Sequence, residues 1–203
     1  MFSDYNIADS TNGSKDFGSN YYNSSIVDPN IPSNWALTPV KDKKPYRKNW
    51  QSEPPLTRTT LEKELKGYAT GYGLRLGDVS GGLIAIDVDG ESVTSLLNKI
   101  SGGDIPHSVS WTSGKVGRYQ MLFQIPDEYR EQLKDFTRTS INTWNGYHCK
   151  EGEQLELRYN GHQSVLPFSY HPETGKYEWL MDPNDVDVAI APNWIIRLAL
   201  GEL

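Results

Sequence analysis

Leu83-Ile84-Ala85-Ile86-Asp87-Val88-Asp89-Gly90 runs an apolar strand directly into two carboxylates one residue apart. Residues i and i+2 of a strand point to the same face, so Asp87 and Asp89 converge. Like charges held that close repel unless a cation or protons lie between them, and hard divalent cations take oxygen ligands. The stretch therefore reads as one part of a metal site. The other reading is a strand end in which Asp89-Gly90 turns and Asp87 caps a nearby amide.

Upstream, Tyr72 to Gly77 predicts a short strand and Ser80-Gly81-Gly82 a turn into the aspartate strand. Downstream, Val93, Leu96, Leu97 and Ile100 fall at helical spacing before Gly102-Gly103, so a helix leaves the strand. Val109 and Trp111, then Tyr119 to Ile125, predict two strands joined by Ser113-Gly114-Lys115-Val116-Gly117-Arg118. A helix is predicted over 127–136, from Tyr129, Leu133 and Phe136. Polar, aperiodic sequence follows to about residue 153. Segments 154–159 and 163–166 flank Asn160-Gly161, which predicts a hairpin. Tyr177 to Leu180 supplies a further strand, and a last helix starts near Asn193. Nearer the N-terminus, Trp35 to Val40 predicts a strand, and Thr59-Thr60-Leu61-Glu62 opens a helix over 59–66. Hairpins mixed with single helices give an α+β class with a mostly antiparallel sheet flanked by helices.

The 203 residues, 36% of them hydrophobic and with six Trp, suffice for one core. Residues 1–31, crowded with Ser, Asn, Asp, Gly and Tyr, are expected to form a flexible tail ahead of a domain at 32–203. The single cysteine, Cys149, excludes an intrachain disulfide and a multi-cysteine zinc ribbon, and suits a reducing cytoplasmic setting. His148, His162 and His171 do not complete a tetrahedral set with it by spacing, so no zinc is expected. No stretch approaches the roughly 18 apolar residues of a membrane span. A net charge of -6 leaves phosphate contacts to a local patch. Lys41, Lys43, Lys44, Arg47 and Lys48 supply one within eight residues. A solvated basic loop is the other reading.

Phosphoryl chemistry with two metals needs an acid from a second strand. In Leu155-Glu156-Leu157-Arg158, Glu156 and Arg158 alternate with two leucines and share a face. Glu156 is therefore either a third metal ligand or a cross-strand glutamate salt-bridged to arginine. The Ser113–Arg118 turn offers a hydroxyl, two cations and glycines that admit an anion to backbone amides. It is either a phosphate cradle or a simple basic turn, and it is not a P-loop, since valine follows the lysine.

In this order the pieces resemble the primase-polymerase (prim-pol) domain of the archaeo-eukaryotic primase superfamily, over roughly residues 32–198. Asp87 and Asp89, Ser113 through Gln120, and Glu156 in Glu-Leu-Arg-Tyr-Asn-Gly carry the three motifs. Trp35-Ala36-Leu37-Thr38-Pro39, and Val165 to Pro172 followed by Gly175 to Trp179, resemble its opening and closing segments. The resemblance implies an RNA-recognition-like sheet and a DNA primase/DNA polymerase. Asp87, Asp89 and Glu156 would hold two Mg²⁺ or Mn²⁺ ions; Ser113, Lys115, Arg118, Gln120 and His171 would meet a dNTP or NTP. The implied partners are single-stranded DNA template and primer, with a helicase or other replication module of a plasmid or mobile element; Lys43, Lys44, Arg47 and Lys48 would then suit the template, with Tyr46 and Trp50 for base stacking. Gln120 stands where the family usually presents histidine, and Glu156 where many relatives have aspartate. A non-catalytic single-stranded nucleic-acid-binding module with a degenerate site is the runner-up. A metal-dependent nuclease would use the same acids but gives no reason for the triphosphate-suited turn.

Overall fold

Alternation along Leu83–Asp89 divides the protein into two apolar layers, as a computed structural model describing residues 26–203 shows. In chain order the strands are β1 (Leu37–Lys41), β2 (Lys44–Pro45), β3 (Gly71–Arg75), β4 (Leu83–Asp89), β5 (Ser110–Thr112), β6 (Arg118–Gln124) and β7 (Arg138–Ile141). They continue as β8 (Thr143–Trp144), β9 (Tyr147–His148), β10 (Leu155–Arg158), β11 (Gln163–Val165), β12 (Glu178–Met181) and β13 (Ala189–Ile190). The helices are α1 (Arg58–Leu65), α2 (Glu91–Ser101), α3 (Asp127–Arg130) and α4 (Asn193–Ala199). The class is α+β, and the only parallel pairing among the described residues is that of β13 with β6.

The larger sheet runs β12-β5-β6-β4-β10-β7, which puts β4 and β10 side by side in its interior. Ile84, Ile86 and Val88 of β4, with Leu155 and Leu157 of β10, bury against α2 and α4 through Val93, Leu96, Leu97, Ile195 and Ile196. Each such side chain removed from water is worth roughly 1.5–3 kcal/mol. The opposite face begins with Leu83, Ala85, Leu122 and Trp111, which pack on α1 and on the smaller sheet, β11-β3-β1-β2. The smaller sheet covers only that end. Toward the end of β4 the uncovered face carries Asp87 and Asp89 instead of apolar residues.

Three sequence expectations give way. Asn160-Gly161 does not close a hairpin: β10 already has β4 and β7 on its two edges, so β11 crosses to pair with β3 in the other sheet. Asn160 secures the crossing by accepting the Asp78 amide and donating to the Lys134 carbonyl. The helix expected over 127–136 ends at Arg130. Of the expected tail, residues 1–25 lie outside the described residues, whereas Val27, Asp28 and Ile31 are buried. The Asp28 carboxylate accepts from Trp179 Nε1 at 2.6 Å. The packed body therefore begins upstream of residue 32. No helix among the described residues is long and apolar enough to cross a membrane.

Candidate active site

Antiparallel register sets Glu156 of β10 directly opposite Asp87 of β4, and on the other side of β4 it sets Gln120 opposite Asp87 and Arg118 opposite Asp89. Since directly paired residues share a face, the three acids, Gln120 and Arg118 converge on the uncovered part of the sheet. A second tie fixes this alignment. Helix α2 is preceded by Gly90, which has no capping side chain; Glu153 caps the helix from the chain leading into β10, accepting Ser92 N–H at 2.9 Å and Ser92 Oγ–H at 2.6 Å. The ends of the two acid-bearing strands are thereby joined.

The acids line up against arginines. Arg158, next but one after Glu156, places Nη2 at 2.5 Å from Asp87 and 2.6 Å from Glu156, and its Nε donates to Glu156 at 2.7 Å. Ser140 donates to Glu156 at 3.0 Å. Arg118 pairs with Asp89 at 2.7 Å. Glu156 is only 5% exposed, and the pocket above is lined by Asp87, Asp89 and Arg158 but not by Glu156 itself. Among the described residues no three carboxylate, imidazole or thiolate side chains form a ready-made metal cage. The salt-bridged reading of Glu156 thus describes its contacts, while the register also gives it the position of a third acid.

Opposite the acids stands the Ser113–Arg118 turn. Thr112 Oγ1 shapes it, accepting Gly114 N–H at 3.0 Å and donating to the Arg118 carbonyl at 2.7 Å. Gly117 has φ +70, and a Cβ there would stand 2.6 Å from the Glu91 amide. Glycine is thus required for the turn to dock on the start of α2, where its carbonyl accepts Gly90 N–H at 3.2 Å. Ser113, Lys115, Arg118 and Gln120 all line the pocket, which has a volume of about 210 Å³. Ligand pockets for whole small molecules span roughly 300–1,000 Å³, so this one takes a small polar group rather than a whole ligand. Lys115 is held at 2.6 Å by Glu173.

His171 closes the far side, 2% exposed, with its ring edge against Tyr177 at 5.2 Å between centroids. Nδ1 accepts the Glu173 and Thr174 amides at 3.2 Å each, which leaves the proton on Nε2. Burial, then Lys43 and Lys115, lower its pKa, so the ring is neutral and carries its one N–H at Nε2. Tyr177, pushed up to about 12 chiefly by burial and then by Asp87, likewise stays a neutral donor.

The basic stretch is divided. Asp42 and Lys43 have φ of +48 and +71, a two-residue turn that carries Lys43 into the pocket lining. Lys44 and Lys48 are exposed outside the pocket. Arg47 is engaged by Glu53 at 2.9 Å and Glu64 at 2.8 Å. Tyr46 donates to Glu64 at 2.8 Å and meets Tyr68 edge-on, so neither Arg47 nor Tyr46 is free for the strand contact expected of it.

A family model for the Prim-Pol domain, described as "Bifunctional DNA primase/polymerase, N-terminal", matches residues 31–194. The chain belongs to the Prim-Pol family. No curated protein matches it. Prim-Pol nucleotidyltransferases typically use divalent metals, and the donor set here fits one chemically. Three carboxylates share a face, and beside them the Gln120 carbonyl oxygen is buried with no hydrogen-bond partner. Asp87, Asp89, Glu156 and Gln120 are hard oxygen donors of the type Mg²⁺ and Mn²⁺ take. Arg158, Arg138 and Arg118 pair with these carboxylates. Alternation marked Arg158 as facing the acids but not as their bridge, and the Tyr177 ring gave no sequence signal for this Prim-Pol pocket.

Burial pushes Asp87 up to about 6, with Asp89 and Glu156 adding to the rise and Arg158 opposing it. Burial also raises Glu156, but there Arg158, Ser140 and Arg138 outweigh it and the net shift is downward. The raised Asp87 binds its proton more tightly folded than unfolded. Its contribution to stability is complete below about pH 4 and falls as pH climbs through 6. In chelator-containing buffer, Asp87→Asn is therefore expected to match the wild type near pH 4 and to melt higher at pH 7.5. A rise from 3.8 to about 6, at roughly 1.4 kcal/mol per pKa unit, sets the gap on the order of 3 kcal/mol. Melting curves across pH check it; a gap that does not grow with pH refutes the assignment of Asp87 as a charge buried at a cost.

Proposed function

We propose that this Prim-Pol domain is a template-directed nucleotidyltransferase that joins dNTPs or NTPs to a primer or an initiating nucleotide on single-stranded DNA. The observation that carries the reading is the pairing of Glu156 with Asp87 across adjacent strands, with Asp89 on the same face, beneath a pocket rimmed by Lys43, Lys115 and Arg118. Asp87, Asp89 and Glu156 would hold two Mg²⁺ or Mn²⁺ ions. Bound there, the metal supplies a lowered pKa for the attacking 3′-hydroxyl and charge neutralisation on the triphosphate and departing pyrophosphate. The chain's own groups receive the nucleotide. Lys115 and Arg118 offer cationic donors, Ser113 a hydroxyl, and His171 an Nε2–H that stays in place because Nδ1 is occupied. The two cations exchange an intramolecular partner for phosphate, Arg118 leaving Asp89 and Lys115 leaving Glu173. Gln120 stands directly opposite Asp87 across the strand pair.

The same reading takes in the RNA-recognition-like arrangement of the larger sheet, a cytoplasmic setting, and work in plasmid or mobile-element replication beside a helicase or other replication module. One observation favours the second reading, a single-stranded nucleic-acid-binding module without turnover: every one of the three acids already has an arginine partner. Incubation with a primed template, dNTPs and Mn²⁺ or Mg²⁺ separates the two. Chelator-sensitive extension supports the polymerase, and a mobility shift with no extension supports the binding module.

A further inference from the structure

Beside the pocket lies a second, larger groove of about 620 Å³, floored by Phe168, Tyr170, Tyr177 and Trp179. Tyr177 lines both, so the groove continues directly from the candidate nucleotide site. Phe168 and Tyr170 are 58% and 51% exposed, whereas Ser169 between them is buried and rigidly held. Its Oγ accepts Tyr72 N–H at 2.9 Å and donates to the Tyr72 carbonyl at 3.1 Å. Tyr170 N–H bonds the Thr70 carbonyl at 2.9 Å. The two rings are thus presented to solvent by a fixed backbone. Phe168 also has φ +68, a conformation that costs a bulky side chain and is kept where the side chain's position has a use.

The ledge has a cationic flank. Thr70 N–H donates to the Val40 carbonyl and Thr70 Oγ1 accepts Asp42 N–H, each at 2.9 Å. The hairpin tip bearing Lys43 and Lys44 is therefore tied beside Tyr170, and neither lysine makes an ion pair among the described residues. A strip of flat apolar rings with unpaired ammonium groups on one side and a phosphate-suited pocket on the other matches one chemistry. Bases stack on aromatic faces while the backbone tracks lysines.

We propose that the Phe168–Tyr170 ledge is the docking surface for the unpaired DNA strand, with bases on the two rings and phosphates toward Lys43 and Lys44. The proposal deepens the polymerase reading by placing the template, and it replaces Tyr46 and Trp50 as the stacking residues. The full chain is titrated into fluorescein-labelled oligo(dT) and followed by anisotropy. Phe168→Ala/Tyr170→Ala is expected to weaken binding by at least about tenfold without changing the salt dependence. Lys44→Gln is expected to flatten that dependence, since one phosphate contact is lost. Phe168→Gly, which removes the ring and relieves the backbone, is expected to lose affinity while its melting temperature equals or exceeds that of the wild type. Unchanged oligo(dT) affinity in the folded double variant overturns the proposal, as does a wild-type chain that does not bind oligo(dT). So does a ledge that serves a second copy, seen as self-association lost in the double variant with DNA affinity intact. Extension of a primed template by the wild-type chain tests the polymerase reading separately. Extension with unaltered binding in the double variant removes only the ledge, and weakened binding without any wild-type extension removes only the polymerase.

Discussion

Primer extension is expected to fall by at least about a thousandfold in Asp87→Asn and in Asp89→Asn, with both variants still folded. A single preorganised donor to the developing charge is worth roughly a hundred- to a thousandfold, and a carboxylate that holds the neutralising ions contributes more than one such donor. Folding should survive for different reasons at the two positions. Asp87 is a buried charge whose pKa is driven up to about 6 by its surroundings, so the neutral amide relieves repulsion among the acids. Asp89 is a third exposed and has one arginine partner, a contact of the kind worth about 1 kcal/mol or less. Gel extension assays with Mn²⁺ and with Mg²⁺, beside melting curves, check both halves. Extension within tenfold of the wild type in either variant would sink the assignment of the acids.

The second large effect concerns Arg158. Its guanidinium lies between Asp87 and Glu156 with contacts of 2.5 and 2.6 Å, so removing it strands two largely buried carboxylates. Breaking a buried ion pair by deleting one member costs about 3–5 kcal/mol. For a domain of this size that lowers the melting temperature by roughly 6–20 °C. Arg158→Met, which keeps the aliphatic length, should show this loss in chelator. Millimolar Mn²⁺ should then restore much of it, because an ion binding the folded state alone stabilises it by mass action. No loss in chelator would mean the bridge carries no weight in the fold. Loss without recovery by Mn²⁺ would mean the carboxylates, once freed, do not take a cation.

The central strand was legible because two signals coincide in it, an apolar run and paired aspartates. Its alternation also predicted which face each side chain takes. Glu156 could be placed by the same period-two logic, and register then put it opposite Asp87. The turns were harder. Asn145-Gly146, inside the stretch read as aperiodic, is the true hairpin joining β8 and β9, with φ of +46 and +81. Asn160-Gly161 has the same letters and joins two different sheets. The dipeptide encodes a local bend, and whether strands pair across it depends on which edges are free, which is not a local property. Arg47 illustrates the same limit. A cluster of cations looks uniformly available in the chain, yet Glu53 and Glu64 claim this one, while Lys43 is delivered to the pocket by the handedness of its turn. The aromatic ledge was missed because Phe168 and Tyr170 sit in a loop without period.

The crossing of β11 from one sheet to the other means that neither sheet is built from a continuous run of residues. Length changes should then be tolerated very unevenly. The Asn145-Gly146 tip has open space around its glycine and can accept an insertion or a grafted peptide. The four-residue link from Arg158 to Gln163 spans two layers with both ends pinned, so lengthening it would loosen the acid strand and the smaller sheet together.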